Sequence, residues 1–357
     1  MLIADHLLRK FTGEIFRRGG SSPEEADLVA AHLVAANLAG HDSHGVGMVP
    51  TYVRHLQAGL VVPNTPARLV KDDGAILMYD GQRGYGRRVA GEAMAGAIAR
   101  CRQTGVVVMT LANAHHIARV GAYGEMALAA GLVSVHFVNV TDHDGLVAPY
   151  RGRDARFSTN PVCVAVPGSE AQPPVLLDMA TSEIAMGKVR VARNAGRPLP
   201  EPCVIDPQGR PTTDPAVMYA QPRGALLPFG KHKGYGLAVI AELLAGGLSG
   251  GGTIQPDNPR RHGVVNNMTT FLVDPARLAG TPWLRREVEG FVRYVKASPP
   301  ADPAQPVLVP GDPERQAAAR RGHEGIPLDD ATWEELLAAA EAVGIGRDEA
   351  RALAAVR

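Results

Sequence analysis

VVVMTLANAHHIARVGAYGEMALAAGLVSVHFVNV, residues 106–140, carries two apolar runs on either side of a segment rich in small residues. The first run, 106–114, is almost continuously apolar, as a strand covered on both faces is. Residues 121–130 read as a helix and 132–140 as a second buried strand. Strand, helix and strand in that order predict an α/β domain with a sheet as its centre. Upstream, AILMYDGQRGYG (75–86) reads as strand and turn, and 89–102 as a small-residue helix. Downstream, VCVAVP (162–167) and PVLLDMA (174–180) are short apolar segments bounded by Gly or Pro. A helix is expected after Thr181-Ser182 and another over YGLAVIAELLAGGL (235–248). Residues 72–280 are therefore assigned to the α/β domain, with no strand order implied.

The flanks are helical. Leu7, Leu8, Phe11 and Ile15 recur at helical spacing until Gly19-Gly20 ends the pattern. Ser22, Pro23 and Glu25 form a helix start, with a capping hydroxyl, a proline in the first turn and an acid three residues after the cap. That helix is expected over 23–38, and a third over 46–56 with a bend near Pro50. Past the proline-rich ASPPADPAQPVLVPGDPE (297–314), amphipathic helices return, as in WEELLAAAEAVG (333–344). Residues 1–71 and 281–357 are read as two parts of one discontinuous helical domain.

Composition narrows the function. With 37 basic and 36 acidic residues the net charge is +1, which leaves no field to draw nucleic acid or an anionic membrane. No apolar run reaches the roughly 18 residues of a membrane span. MLIADHLLRKFTGEIF is charged throughout and reads as a helix rather than a signal peptide, so a soluble, cytoplasmic protein acting on small molecules is expected. Cys101, Cys163 and Cys203 are odd in number, far apart and without a CxxC, so neither a disulfide nor structural zinc is expected.

Chemistry concentrates in AGHDSHGVG (39–47), a glycine-flanked loop between helices. An imidazole there, with an unperturbed pKa near 6.5, suits proton transfer at neutral pH, and His44 has this reading beside a purely structural one. Ser43 either caps the next helix or joins the chemistry; Asp42 either orients an imidazole or is solvated. His115-His116 and His232, the latter in FGKHKGYG (229–236), are the other notable histidines. Their clustering leaves open a metal-dependent hydrolase, although no HExxH is present and no metal ligand set is assigned. GQRGYGRR (81–88) and GGLSGGG (246–252) contain no GxGxxG between strand and helix and no Walker lysine, so they read as turns and no Rossmann site is supported.

Seven ordered segments carry a family resemblance: residues 39–60, NAHHIARVGAYGEMAL (113–128), STNPVCVAVP (158–167), LLDMATSEIAMGKVRVARNAGRPLPE (176–201), IDPQGRPTTDP (205–215), FGKHKGYGLAVIAELLAGGLSGG (229–251) and VLVPGDPE (307–314). Together they resemble the type-2 malate/L-lactate dehydrogenase family over nearly the whole chain. GHDSHGVGM, HIARVG and the KASP and LVPG tail are most similar to its hydroxycarboxylate dehydrogenase B branch. The resemblance implies a non-Rossmann α/β fold, a mixed-sheet cofactor domain beside a discontinuous helical domain, and a homodimer. It implies an oxidoreductase moving a hydride between NAD, or NADP, and a 2-oxo or 2-hydroxy acid. Reduction of cyclic imino acids of the piperideine-2-carboxylate type on the same scaffold is the alternative.

Carried over by position, His44 matches the family's proton donor and His116 a histidine lining the substrate pocket. Ala118, Arg119, Val120, Leu176, Leu177, Asp178, Met179, Ala180, His232, Asn266, Gly311, Asp312, Pro313 and Glu314 match places where the family holds the dinucleotide, His44 lying beside it. Ser43, Met48 and Arg119 are assigned to the substrate, and His41 to structure. Many members carry Arg where this chain has Met48. Arg119 is the expected substitute grip for a carboxylate, and a more apolar pocket is expected near Met48. TDHDGL (141–146) is longer than the branch pattern by about one residue, which bears on the substrate's outer contacts.

Overall fold

The computed structural model describes residues 1–194 and 196–355. Its first two helices, α1 (Asp5–Arg18) and α2 (Pro23–Leu38), follow the expected signals: Ser22 Oγ accepts from the Glu25 N–H at 3.2 Å and Pro23 stands in the first turn. The third helix departs from expectation. Two short 3-10 turns, Asp42–His44 and Val46–Met48, precede α3 (Val49–Gln57), and Pro50 sits in the first turn of α3 rather than at a bend. Proline lacks only an N–H that the first turn leaves unpaired anyway, so it starts this helix instead of distorting it.

Phe11, Ile15, Phe16, Leu33 and Tyr52 share one apolar core with Trp333, Leu336 and Leu337 of α10 (Asp330–Glu341) and Ala350 of α11 (Arg347–Leu353). The Phe11 and Trp333 rings stand 5.5 Å apart. Fully burying each such side chain is worth about 1.5–3 kcal/mol, so the two ends of the chain hold each other. Leu2–Ile3 also pair antiparallel with Ile326–Pro327.

The central sheet has seven strands: β1 (Arg68–Asp73), β2 (Ile76–Asp80), β3 (Val106–His115), β4 (Val133–Thr141), β5 (Val162–Val166), β6 (Val175–Met179) and β7 (Val265–Val273). Their spatial order is β1-β2-β3-β7-β4-β5-β6. Only β2 and β3 pair in parallel among these neighbours, so the sheet is mixed. Alternation along β7 serves two faces: Met268 and Leu272 join the core beneath α4 (Gly86–Thr104) and α5 (Gly121–Ala129). Opposite them, Asn267 Nδ2 donates to Asn139 Oδ1 and Thr269 Oγ1 to the Leu244 carbonyl. Leu244 belongs to a wider helical turn, Leu243–Gly247, that continues α7 (His232–Glu242).

A smaller layer stands beside the sheet. Val189 of α6 (Met186–Asn194) packs there with Val147, Leu199, Val204, Met218 and Leu226, next to a three-stranded sheet of 204–205, 211–212 and 225–226. α8 (Thr281–Lys296) and α9 (Asp312–Glu324) complete the helices named. No helix among the described residues is long and apolar enough to cross a membrane.

Candidate active site

The loop after β3 is held from several directions. The Ile117 N–H donates to Asn266 Oδ1 at 2.9 Å, and the Ile117 carbonyl accepts from Tyr123 OH at 2.8 Å and from His32 Nε2 at 3.1 Å. Burial pushes His32 down to about 3, so its ring is neutral and the Nε2 facing that carbonyl carries the proton. The Gly121 N–H donates to Asp178 Oδ2 at 2.6 Å, which ties the loop to the end of β6. Gly86 opens α4 against the carbonyls of His115 and His116, so close that any Cβ there would collide with backbone. His116 is thus presented by a rigid frame.

Asn37 organises the facing loop. Its buried amide donates to Asp42 Oδ1 at 2.6 Å and accepts from the Val46 N–H at 2.8 Å. Arg321 of α9 forks onto both oxygens of Asp42, at 2.6 and 2.9 Å. Asp42 is therefore a structural anchor of the loop. Asn37→Ala removes both bonds and orphans a buried N–H, so it is expected to destabilise the fold by about 1–3 kcal/mol. Denaturant unfolding checks this, and unchanged stability would show that the loop holds without Asn37.

These frames bring His44 and His116 together, their rings nearly parallel at 18° with centroids 5.7 Å apart. His44 Nδ1 lies 2.9 Å from Ser43 Oγ, and His116 Nδ1 lies 2.8 Å from Tyr52 OH. Burial is the main cause holding His44 below its ordinary value; the Asp178 carboxylate pulls it up, and His41 and Arg119 push it further down. His116 is held well below its ordinary value, first by burial and then by His44. Both rings are neutral at pH 7.

Two adjoining cavities meet at His44. The larger, about 840 Å³, is walled by His41, Asp42, Ser43, Ala118, Arg119, Val120, Asp178, Met179, Ala180, Pro313 and Glu314. The smaller, about 320 Å³, is lined by Ser43, Met48, His116, Asn266, Val138, Val140, Leu146, Tyr219 and Val264. Ser43, His44, Ala118 and Val120 belong to both walls. Most of the expected site residues therefore converge, although they come from five separate parts of the sequence.

Five do not reach a cavity wall. Leu176 is buried in the core under α5, and Leu177 faces neither space. Gly311 gives α9 its left-handed entry, and Asp312 turns inward to Lys296 and Arg315, each at 2.7 Å. His232 is exposed at the start of α7, its ring 6.0 Å from that of Tyr150. Arg119 reaches the larger cavity but not the smaller, and its Nη2 is engaged by Glu125 at 2.5 Å. His41 lines the larger cavity and meets Glu314 at 3.1 Å. Sequence reasoning passed over Arg190, which lines both cavities, and Asn37. On a short helix that also carries Lys188 and Arg193, Arg190 reads as surface; only the docking of α6 against the 42–44 turn brings it inward.

A dinucleotide fits the larger space. Its volume is about 840 Å³, Ala118 on its wall adopts φ 56°, and the buried Nη1 of Arg119 has no hydrogen-bond partner among the described residues. An unpartnered cationic donor on a cleft wall is a fitting contact for an anionic or carbonyl group. Among the described residues no group of three or more His, Cys, Asp or Glu is placed to hold a metal ion.

Residues 3–337 match the family model described as malate/L-lactate dehydrogenase. Hydroxycarboxylate dehydrogenase B of Escherichia coli is 46% identical over 347 residues, covering 97% of this chain and 95% of that protein. L-lactate dehydrogenase of Cupriavidus necator is 45% identical over 321 residues, covering 90% and 91%. A solved structure from E. coli, assigned as a malate/lactate dehydrogenase, matches with a TM-score of 0.94 at 45% identity, covering 99% of this chain and 98% of that one. A family match over residues 3–337 and relatives this similar over nearly the whole chain show that the chain belongs to the malate/L-lactate dehydrogenase family.

Proposed function

We propose that this protein interconverts 2-hydroxy and 2-oxo carboxylic acids with a nicotinamide dinucleotide, NAD or NADP, in the larger cavity and the acid in the smaller. The observation that carries this reading is the position of His44, on the wall common to both spaces, with Ser43 at its Nδ1. When bound, the nicotinamide supplies or accepts hydride at the substrate carbon. His44 exchanges the proton on the substrate oxygen through Nε2. The Ser43 hydroxyl accepts from Nδ1–H in both the charged and the neutral ring, which leaves Nε2 to give the proton in reduction and to take it in oxidation. His116, steadied by Tyr52, orients the substrate from the parallel ring.

Ala118–Val120, Asp178–Ala180, Pro313 and Glu314 are the residues we assign to the dinucleotide, with Asn266 bracing the loop between the cavities. Exposed Trp283, Phe291 and Tyr294 of α8 support a homodimer. The three cysteines are free thiols, consistent with a reducing cytoplasm.

Met48, Val138, Val140 and Leu146 make the smaller cavity apolar, so a second carboxylate has no evident counter-charge there. Leaving one buried and unpaired costs several kcal/mol. Monocarboxylic 2-oxo acids with apolar side chains are therefore expected to give higher kcat/KM than oxaloacetate. A panel of 2-oxo acids and cyclic imines with NADH and NADPH, followed by nicotinamide absorbance, tests both function and preference. Turnover of cyclic imines alone would replace the acid by an imine, and higher kcat/KM for oxaloacetate than for phenylpyruvate would refute the apolar-pocket reading.

A further inference from the structure

The smaller cavity has to neutralise one carboxylate, and its lining is short of charge. Among its lining residues Arg190 is the only arginine or lysine. We propose that Arg190 grips the carboxylate of the substrate and thereby sets both its orientation and the requirement for an acid; this rests on the smaller cavity being the 2-oxo acid site.

Three observations favour Arg190. Its position is tied to the catalytic loop: Gly187, one turn earlier on α6, lies so close to Ser43 that an added Cβ would stand 2.6 Å from Ser43 Cβ. At Gly47, three residues past His44, an added Cβ would stand 3.1 Å from Arg190 Nη2. Bare backbone at these two glycines lets the guanidinium lie over the loop that carries His44.

Its fork is also nearly free. The hydrogen-bond partner it has among the described residues is Glu335, met by Nη1 alone at 3.4 Å with both side chains partly exposed. Such a pair is worth little, whereas a carboxylate taken from water into an apolar cavity engages the planar fork at two points. The competing cation, Arg119, stands on the other cavity with one arm committed to Glu125. Lys188 and Arg320 line the larger cavity and are available there for phosphate, which leaves Arg190 for the acid.

In a 2-oxo acid the carboxyl carbon is bonded directly to the carbonyl carbon. A two-point grip on the carboxylate therefore fixes the direction of the carbonyl oxygen, and His44 shares the wall from which the grip is made.

The test compares the best 2-oxo acid of the panel with its methyl ester in wild type, R190Q and R190K, alongside NADH titration by fluorescence and thermal melting. R190Q is expected to raise KM for the acid by about 30-fold or more, the loss on removing one partner of a desolvated charge pair. KM for the ester should change by less than about threefold, because no charge is left to pair. R190K, which keeps the charge and loses the fork, should recover part of the acid preference. NADH affinity and melting temperature should stay near wild type. Weakened NADH binding with KM for the acid unchanged would overturn the proposal and make Arg190 a phosphate contact, and so would equal losses for acid and ester. If R190Q fails to melt cooperatively, the acid-to-ester ratio of R190K decides, an unchanged ratio counting against Arg190. Wild-type protein that reduces no 2-oxo acid would remove the site reading as well, an outcome distinct from an active wild type with an indifferent R190Q.

Discussion

His44→Asn is expected to lower kcat by about 10²–10⁴-fold, the usual worth of a positioned general acid or base. Asparagine keeps a polar nitrogen near the place of Nδ1, within reach of Ser43 Oγ, so the loop loses little of its geometry. The 39–47 loop itself is held by Asn37 and Arg321, neither of which bonds the imidazole. Melting temperature and NADH affinity should therefore stay close to wild type while turnover collapses. His41→Asn is the matching control. It gives up a 3.1 Å contact with Glu314 at the rim of the larger cavity, and is expected to cost far less in kcat. If His41→Asn lost turnover and His44→Asn kept it, the proton would belong to the wrong histidine here. If both failed only through unfolding, the acid would have to be sought at His116.

The second large effect is on pH dependence. Burial holds His44 below its ordinary value of 6.5, against the pull of Asp178, so the free enzyme carries a neutral imidazole at pH 7. A neutral ring is the form that takes a proton from a 2-hydroxy acid. Oxidation kcat/KM should thus be flat from neutral pH upward and fall about tenfold per pH unit below the lowered pKa. Reduction requires the imidazolium, so its kcat/KM should be greatest in acid and fall about tenfold per unit as pH rises through the same value. Profiles in both directions on one enzyme preparation check the sign. A break shared by both profiles but lying above pH 6.5 would mean that charge pairing, rather than burial, dominates at His44.

The stretch at 106–140 was legible because strands buried on both faces announce themselves by unbroken apolar runs, and β3, α5 and β4 lie where those runs place them. The same logic hides β7. VNNMTTFLV holds four polar residues in nine, and Asn266, Asn267, Thr269 and Thr270 are all buried. They are satisfied by the neighbouring strand, through the Asn139 carbonyl, Asn139 Oδ1 and His136 Nδ1, and by the Leu244 carbonyl of the helical turn after α7. A hydrophobicity pattern cannot register such a strand, and without it the order of the sheet stays out of reach.

The site divides in the same manner. His44, Ser43 and His116 lie in short segments whose residue types already suit proton transfer. Arg190 and Asn37 do their work only through packing: one through the docking of α6 on Gly47 and Ser43, the other through bonds to Asp42 and Val46, five and nine residues further on. Arg119 shows the limit of local reading, since its charge suggested a carboxylate grip while the fold turns it toward Glu125 and the larger cavity.

The most direct measurement is a single turnover in stopped flow, with enzyme pre-loaded with NADH, mixed with the best 2-oxo acid and followed by nicotinamide absorbance. Wild type should consume bound NADH in one stoichiometric phase, and His44→Asn, equally loaded, should consume it about 10²-fold more slowly or less readily still. The same rate from both proteins, or no loss of NADH from wild type with any 2-oxo acid, would contradict the role given to His44 at the junction of the two cavities.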